Sequence, residues 1–178
     1  MAFVEYVPGL RSKYHPEIAD NLKIVRETWS SAQDDASERL STMLDIVSLR
    51  MPDYCLTDID LLCIKEGLGY ELAHADIKRW YTGKRAETIN RGMEQRYLTS
   101  QERLRGYLST ESEPISFDNI RQTAYLNQAS YAAKAITSLY NEAGDYKNLI
   151  NISTAVAPHI HNMRLLREGA PVNVSNLF

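Results

Sequence analysis

From Ile18 to Val47 the chain sets an apolar or small residue at every third or fourth position: Ile18, Leu22, Val25, Trp29, Ala32, Ala36, Leu40, Met43 and Val47. A strand cannot gather such a series on one side, because its side chains alternate with a period of two. A helix of 3.6 residues per turn brings the whole series into one stripe. Pro16 stands where helices begin well, Glu17 and Asp20 suit the positive end of the dipole, and Pro52 prevents continuation past Met51. The spacing therefore predicts a helix over 16–51, or a hairpin if the polar run Ser30 to Asp35 breaks it. The stripe looks longer than the later helices need to cover. Leu22 and Leu40 are accordingly expected to bind a partner, and the chain to form a homo-oligomer.

The later segments follow the same period. Thr57 or Asp58 is expected to cap a helix over Ile59, Leu61, Leu62 and Ile64, which Gly67 should end. Gly67-Leu68-Gly69 then reads as a tight turn into a second helix over Leu72, Ala73, Ile77, Trp80 and Tyr81. Gly83 ends or bends that helix before a stretch carrying Ile89, Met93, Tyr97, Leu98 and Leu104, with a restart at Thr99 and Ser100. Beyond the linker Ser109 to Pro114, Ser116 should cap a helix through Ala143, and Gly144 and Asp145 should turn the chain into a last helix kinked at Pro158. No alternation of a strand's length occurs, so the expected class is all-α, a helical bundle in one domain over 1–178. Its parts are a long N-terminal helix or hairpin (16–51), a central helix-turn-helix-like basic segment (57–108), a C-terminal αα hairpin (116–167) and an extended tail (168–178). The tail offers Val172, Val174, Leu177 and Phe178 to nothing within its own element, so Val174, Leu177 and Phe178 are expected to dock on another subunit or partner, the alternative being that the tail folds back over its own core.

The net charge of −3 argues against general attraction to polyanions, yet Asp76 to Arg105 holds eight cations and four anions, which leaves the other residues at −7. Such segregation marks either a nucleic-acid face or a basic helix docked on an acidic neighbour. No run approaches the roughly 18 to 20 apolar residues of a membrane span, so no membrane partner is expected. The opening MAFVEYVPGL lacks the pattern of a signal peptide, and the two cysteines, Cys55 and Cys63, cannot build a disulfide framework. A cytoplasmic setting is the expectation.

Signatures of catalysis are lacking. Phosphate-cradling G-x-x-x-x-G-K and the nucleophile elbow G-x-S-x-G do not occur. Glu71 and His74 have the E-x-x-H spacing of a dinuclear metal helix, but no second Glu stands three residues before a His, so the pair reads as incidental and on the surface. His159 and His161 point away from each other on a helix, and Cys55 and Cys63 read as buried thiols. Neither a metal nor a cofactor is expected, and the chain reads as non-enzymatic.

The segment Thr57 to Glu87, TDIDLLCIKEGLGYELAHADIKRWYTGKRAE, resembles a helix-turn-helix. Its part Asp76 to Ala86 is similar to the recognition helix of homeodomain-like and Cro-like DNA-binding domains. That resemblance implies Ile77 and Trp80 in the core, with Lys78, Arg79, Lys84, Arg85 and the following Arg91 facing duplex DNA. Arg11 to Glu17, RSKYHPE, looks like the opening of some phage small terminase subunits, helical proteins that assemble as rings on packaging DNA. This second resemblance implies a self-associating DNA-binding protein of virus packaging or regulation, in the host cytoplasm or the virus particle. The alternative is a structural subunit of a larger assembly such as a virus particle, acting through protein contacts alone. Leu139 to Pro158 resembles the turn of a tetratricopeptide repeat, without a second copy at the 34-residue period.

Overall fold

The computed structural model describes residues 16–50, 53, 56–110, 118–140, 146–173 and 177. Among them the fold is all-α, with five helices and no strand: α1 (Pro16–Arg50), α2 (Asp58–Trp80), α3 (Gly83–Thr110), α4 (Asn119–Tyr140) and α5 (Tyr146–Arg167). Helix α1 is unbroken through Ser30 to Asp35, so the long helix and not the hairpin is realised. Its stripe is used within the chain. Val25, Trp29, Ala32, Ala36, Leu40, Met43 and Val47 are all buried in the common core, Leu22 packs against it, and only Ile18 at the start is exposed. Leu40, expected at a partner surface, is 6% exposed. The expectation failed because it counted too little cover: α2, α3 and α5 all lie on α1.

Helix α2 is the centre of the arrangement, with α1 and α3 packed on one part of it and α4 on another. It starts with a capping box. The Thr57 hydroxyl accepts from the Asp60 amide at 3.3 Å, and the Asp60 carboxylate accepts from the Thr57 amide at 3.0 Å. The helix then runs straight through Gly67-Leu68-Gly69, where a turn was expected. These glycines serve close approach instead. A Cβ on Gly67 would lie 3.0 Å from the Cβ of Ala133 on α4, and one on Gly69 would meet the end of Gln33 on α1. The chain reverses later, at Tyr81 and Thr82, and Gly83 with φ +62° takes the left-handed conformation that an L side chain resists. Helix α3 likewise passes Thr99 and Ser100 without a restart.

Buried polar bonds join the helices. Asp60, 1% exposed, accepts from the Tyr125 hydroxyl on α4 and from Arg167 Nε on α5 at 3.2 Å. Glu66 accepts from Ser100 on α3 at 2.5 Å and from Arg103 at 3.5 Å. Helix α4 begins with Asp118 accepting from the Arg121 amide at 2.7 Å, and Ser116, Gly144 and Asp145 lie outside the described residues. Helix α5 continues through Pro158 and ends at Gly169, φ +70°, with the Ala170 amide donating to Leu165 and the Gly169 amide to Leu166. Arg121 adds a side-chain cap, reaching the carbonyls of Leu165, Leu166 and Ala170. The tail returns to its own chain: Val172 and Leu177 pack against the core, and Gln128 Nε2 donates to the Leu177 carbonyl at 3.0 Å. Leu177 is thus held against its own core, the alternative expected for the tail, while Val174 and Phe178 lie outside the described residues.

The two glycines of α2 should answer differently to substitution. Gly67→Val forces atoms against the α4 side chain and backbone and should cost about 1 to 3 kcal/mol. Gly69→Ala displaces only the far end of Gln33, whose buried Nε2 has no partner among the described residues. With a helix-propensity gain of up to about 1 kcal/mol, that variant should match or exceed wild-type stability. Urea denaturation of both variants measures the difference, and equal losses would contradict this packing.

Candidate nucleic-acid interface

The basic segment divides in two. Its later cations are engaged within the chain: Arg103 with Glu66, Arg105 with the Thr123 hydroxyl at 2.5 Å, and Arg96 also with an intramolecular partner. Lys78, Arg79, Lys84, Arg85 and Arg91 are all exposed. Among the described residues none of these five forms an ion pair. They are brought together because α2 ends on Lys78-Arg79-Trp80, the chain turns over two residues, and α3 begins with Gly83-Lys84-Arg85. Arg91 lies two turns after Lys84 on the same face of α3, with Glu87 between them. The five residues expected to face DNA are therefore exposed on either side of the α2–α3 turn.

Dipole arguments separate them further. Lys78 and Arg79 lie in the last turn of α2, where cations are favoured, so stability alone accounts for them. Lys84 and Arg85 occupy the first turn of α3, the positive end, and no acidic residue accompanies them. Cations there oppose the dipole, and together with the free amides of the first turn they create a site attractive to anions. Arg85 also lies over the Tyr81 ring, 5.4 Å from its centroid, which holds the guanidinium at the corner.

Trp80 corrects the reading from sequence. Expected as a core anchor, it is 72% exposed, while its neighbour Ile77 is fully buried. Ala73 and Ile77 lie on the same face of α2 and are buried, but at the last residue of the helix a shallow cavity separates the indole from full cover by α1. Trp80 borders this cavity of about 270 Å³ between α1 and the end of α2, lined by Glu27, Thr28, Ser31, Asp76, Ile77, Trp80 and Tyr81. Trp29, by contrast, is 4% exposed and sits with Tyr70 and Tyr97 in an aromatic group whose ring centroids lie 4.4 to 6.4 Å apart. Sequence reasoning did not assemble this group, because its members come from three helices.

Other candidates resolve into structural roles. His74 stacks on Tyr70 at 5.9 Å, and Glu71 is half-buried, which raises its carboxyl pKa against the pull of Lys134 and His74. The pair is thus not at the surface as expected. No group of three metal-ligating side chains occurs among the described residues. His159 bonds Gln128 at 2.9 Å and burial lowers its pKa. Burial pushes the Cys63 thiol up to about 12, with nearby Asp60 adding to the shift. Cys55 lies outside the described residues. A wider groove, about 610 Å³, runs between α3 and α4 and is lined largely by polar side chains including Gln95, Gln101, Arg105 and Asn127. No described helix is long and apolar enough to cross a membrane. Comparison with models of protein families, with curated proteins and with solved structures finds no match to this chain.

Two spectroscopic outcomes follow from these placements. In a Cys55→Ser background, Cys63 should resist iodoacetamide near neutral pH, because a thiol with a pKa of about 12 supplies almost no thiolate, and should react only as the protein unfolds. Trp80→Phe should remove the red-shifted, iodide-quenchable part of the tryptophan emission and change stability by no more than about 0.5 kcal/mol. A blue-shifted loss with a falling melting temperature would return Trp80 to the core.

Proposed function

We propose that this chain is a non-enzymatic nucleic-acid-binding protein that holds a phosphate backbone, with duplex DNA as the first ligand to test, at the α2–α3 corner. One observation carries the reading: Lys78, Arg79, Lys84, Arg85 and Arg91 flank the α2–α3 turn, all five exposed, and no ion pair among the described residues neutralises them. Lys84 and Arg85 weigh most. Their position lowers helix stability, so a partner bearing negative charge is the better account of them. Phosphate binding is a local matter of cation density, which a corner of this kind supplies despite an overall charge of −3. The long helix α1 acts in this reading as a rigid support, since its apolar stripe is buried within the chain.

Lys84→Glu combined with Arg85→Glu tests the proposal. Titration of a labelled duplex over about 50 to 200 mM salt should show wild-type affinity falling with salt, and the double variant should have a slope smaller by about two. Both side chains are exposed, so helicity and melting should be unchanged. A double variant that binds like wild type over this range would refute the assignment.

A further inference from the structure

We infer that the cavity beside Trp80 receives an unpaired nucleobase, so that the α2–α3 corner prefers single-stranded nucleic acid to a duplex; this rests on the nucleic-acid reading above. Phosphate contacts alone give no use to a large aromatic ring standing 72% exposed between Arg79 and Lys84. A single strand does give it one, because each base has a π-face to lay on an indole while the backbone follows neighbouring cations. In a duplex the bases are stacked on one another and the ring has no free face to meet.

The polarity of the site has the same order. Cations lie on the α3 side of Trp80, whereas the cavity on its α1 side carries the Asp76 and Glu27 carboxylates with the Thr28 and Ser31 hydroxyls. A phosphate would be repelled from those carboxylates. A base edge with an exocyclic amino group would donate to them, as cytosine N4 donates to acidic side chains. The buried Ile77 forms part of the cavity wall. The strand thus places its phosphates on Lys84 and Arg85 and its base against Trp80, and it favours amino-bearing bases over thymine or uracil.

The test compares oligodeoxycytidine and oligodeoxythymidine of about twelve nucleotides with a duplex of equal length. It uses the full chain as wild type, Trp80→Ala, and the Lys84→Glu, Arg85→Glu pair. Wild type should bind oligodeoxycytidine more tightly than oligodeoxythymidine or duplex, with quenching of the exposed tryptophan emission. Trp80→Ala should weaken single-strand binding about tenfold and leave duplex binding nearly unchanged. The charge-reversed pair should lose both. If Trp80→Ala binds single strands like wild type, or the duplex is preferred without quenching, the base-stacking inference falls while the phosphate-binding reading stands. If neither form binds in a salt-dependent way, the reading itself falls. Quenching by anionic phospholipid vesicles and not by oligonucleotides would likewise overturn the inference, in favour of a membrane surface.

Discussion

Everything else in this molecule is arranged around the burial of α2. A helix touched by three others loses most of its solvated face, and each polar group it keeps there must find a partner or remain desolvated and unbonded. Helix α2 meets that condition at two acidic side chains answered from other helices. Asp60 is held by Tyr125 and Arg167, and Glu66 by Ser100 and Arg103. The missing side chain at Gly67 lets α4 approach closely, with Ala133 directly opposite. Beyond α2, the α1–α3 layer and the α4–α5 hairpin meet where α5 lies on α1 and through side-chain bonds such as Arg105 to Thr123 and Tyr97 with Ser130.

The fold was legible where a single helix face decided the matter. Ile18 to Val47 gave the longest helix because its stripe does not depend on any neighbour, and Thr57 marked a real helix start through local chemistry. Gly67-Leu68-Gly69 misled because glycine has two uses: it permits turns, and it permits close approach of helices. Only the presence of Ala133 opposite Gly67 separates them, and that residue lies far along the chain. Leu22 and Leu40, expected at a partner surface, pack within the chain for a related reason. A stripe shows that a helix is covered, but does not say by which chain.

The candidate interface was legible in composition and not in geometry. The five cations were readable as a charge excess, yet their separation from Arg96, Arg103 and Arg105 depends on what α2 and α4 offer to α3. Trp80 was placed inside by likeness to the aromatic anchor of a recognition helix, although an aromatic type gives only a tendency to burial and a helix end lacks the cover that enforces it. At the corner two local preferences are violated together: cations in a first turn and a bare indole. Concentrated violations of this kind are where a fold gives up stability to present a surface.

The hold on α5 has a consequence for the connectivity of the molecule. Arg121 spans the last carbonyls of α5, Gln128 meets His159, Asn162 and the returning tail, and Arg167 reaches Asp60 on α2. These bonds act at the far end and the middle of α5, well away from the link that joins it to α4. Cutting that link would remove a covalent tether but none of these contacts. Residues 1–140 and 146–178 would then behave as two complementary fragments that reassemble, and a new pair of chain ends at that place would be tolerated.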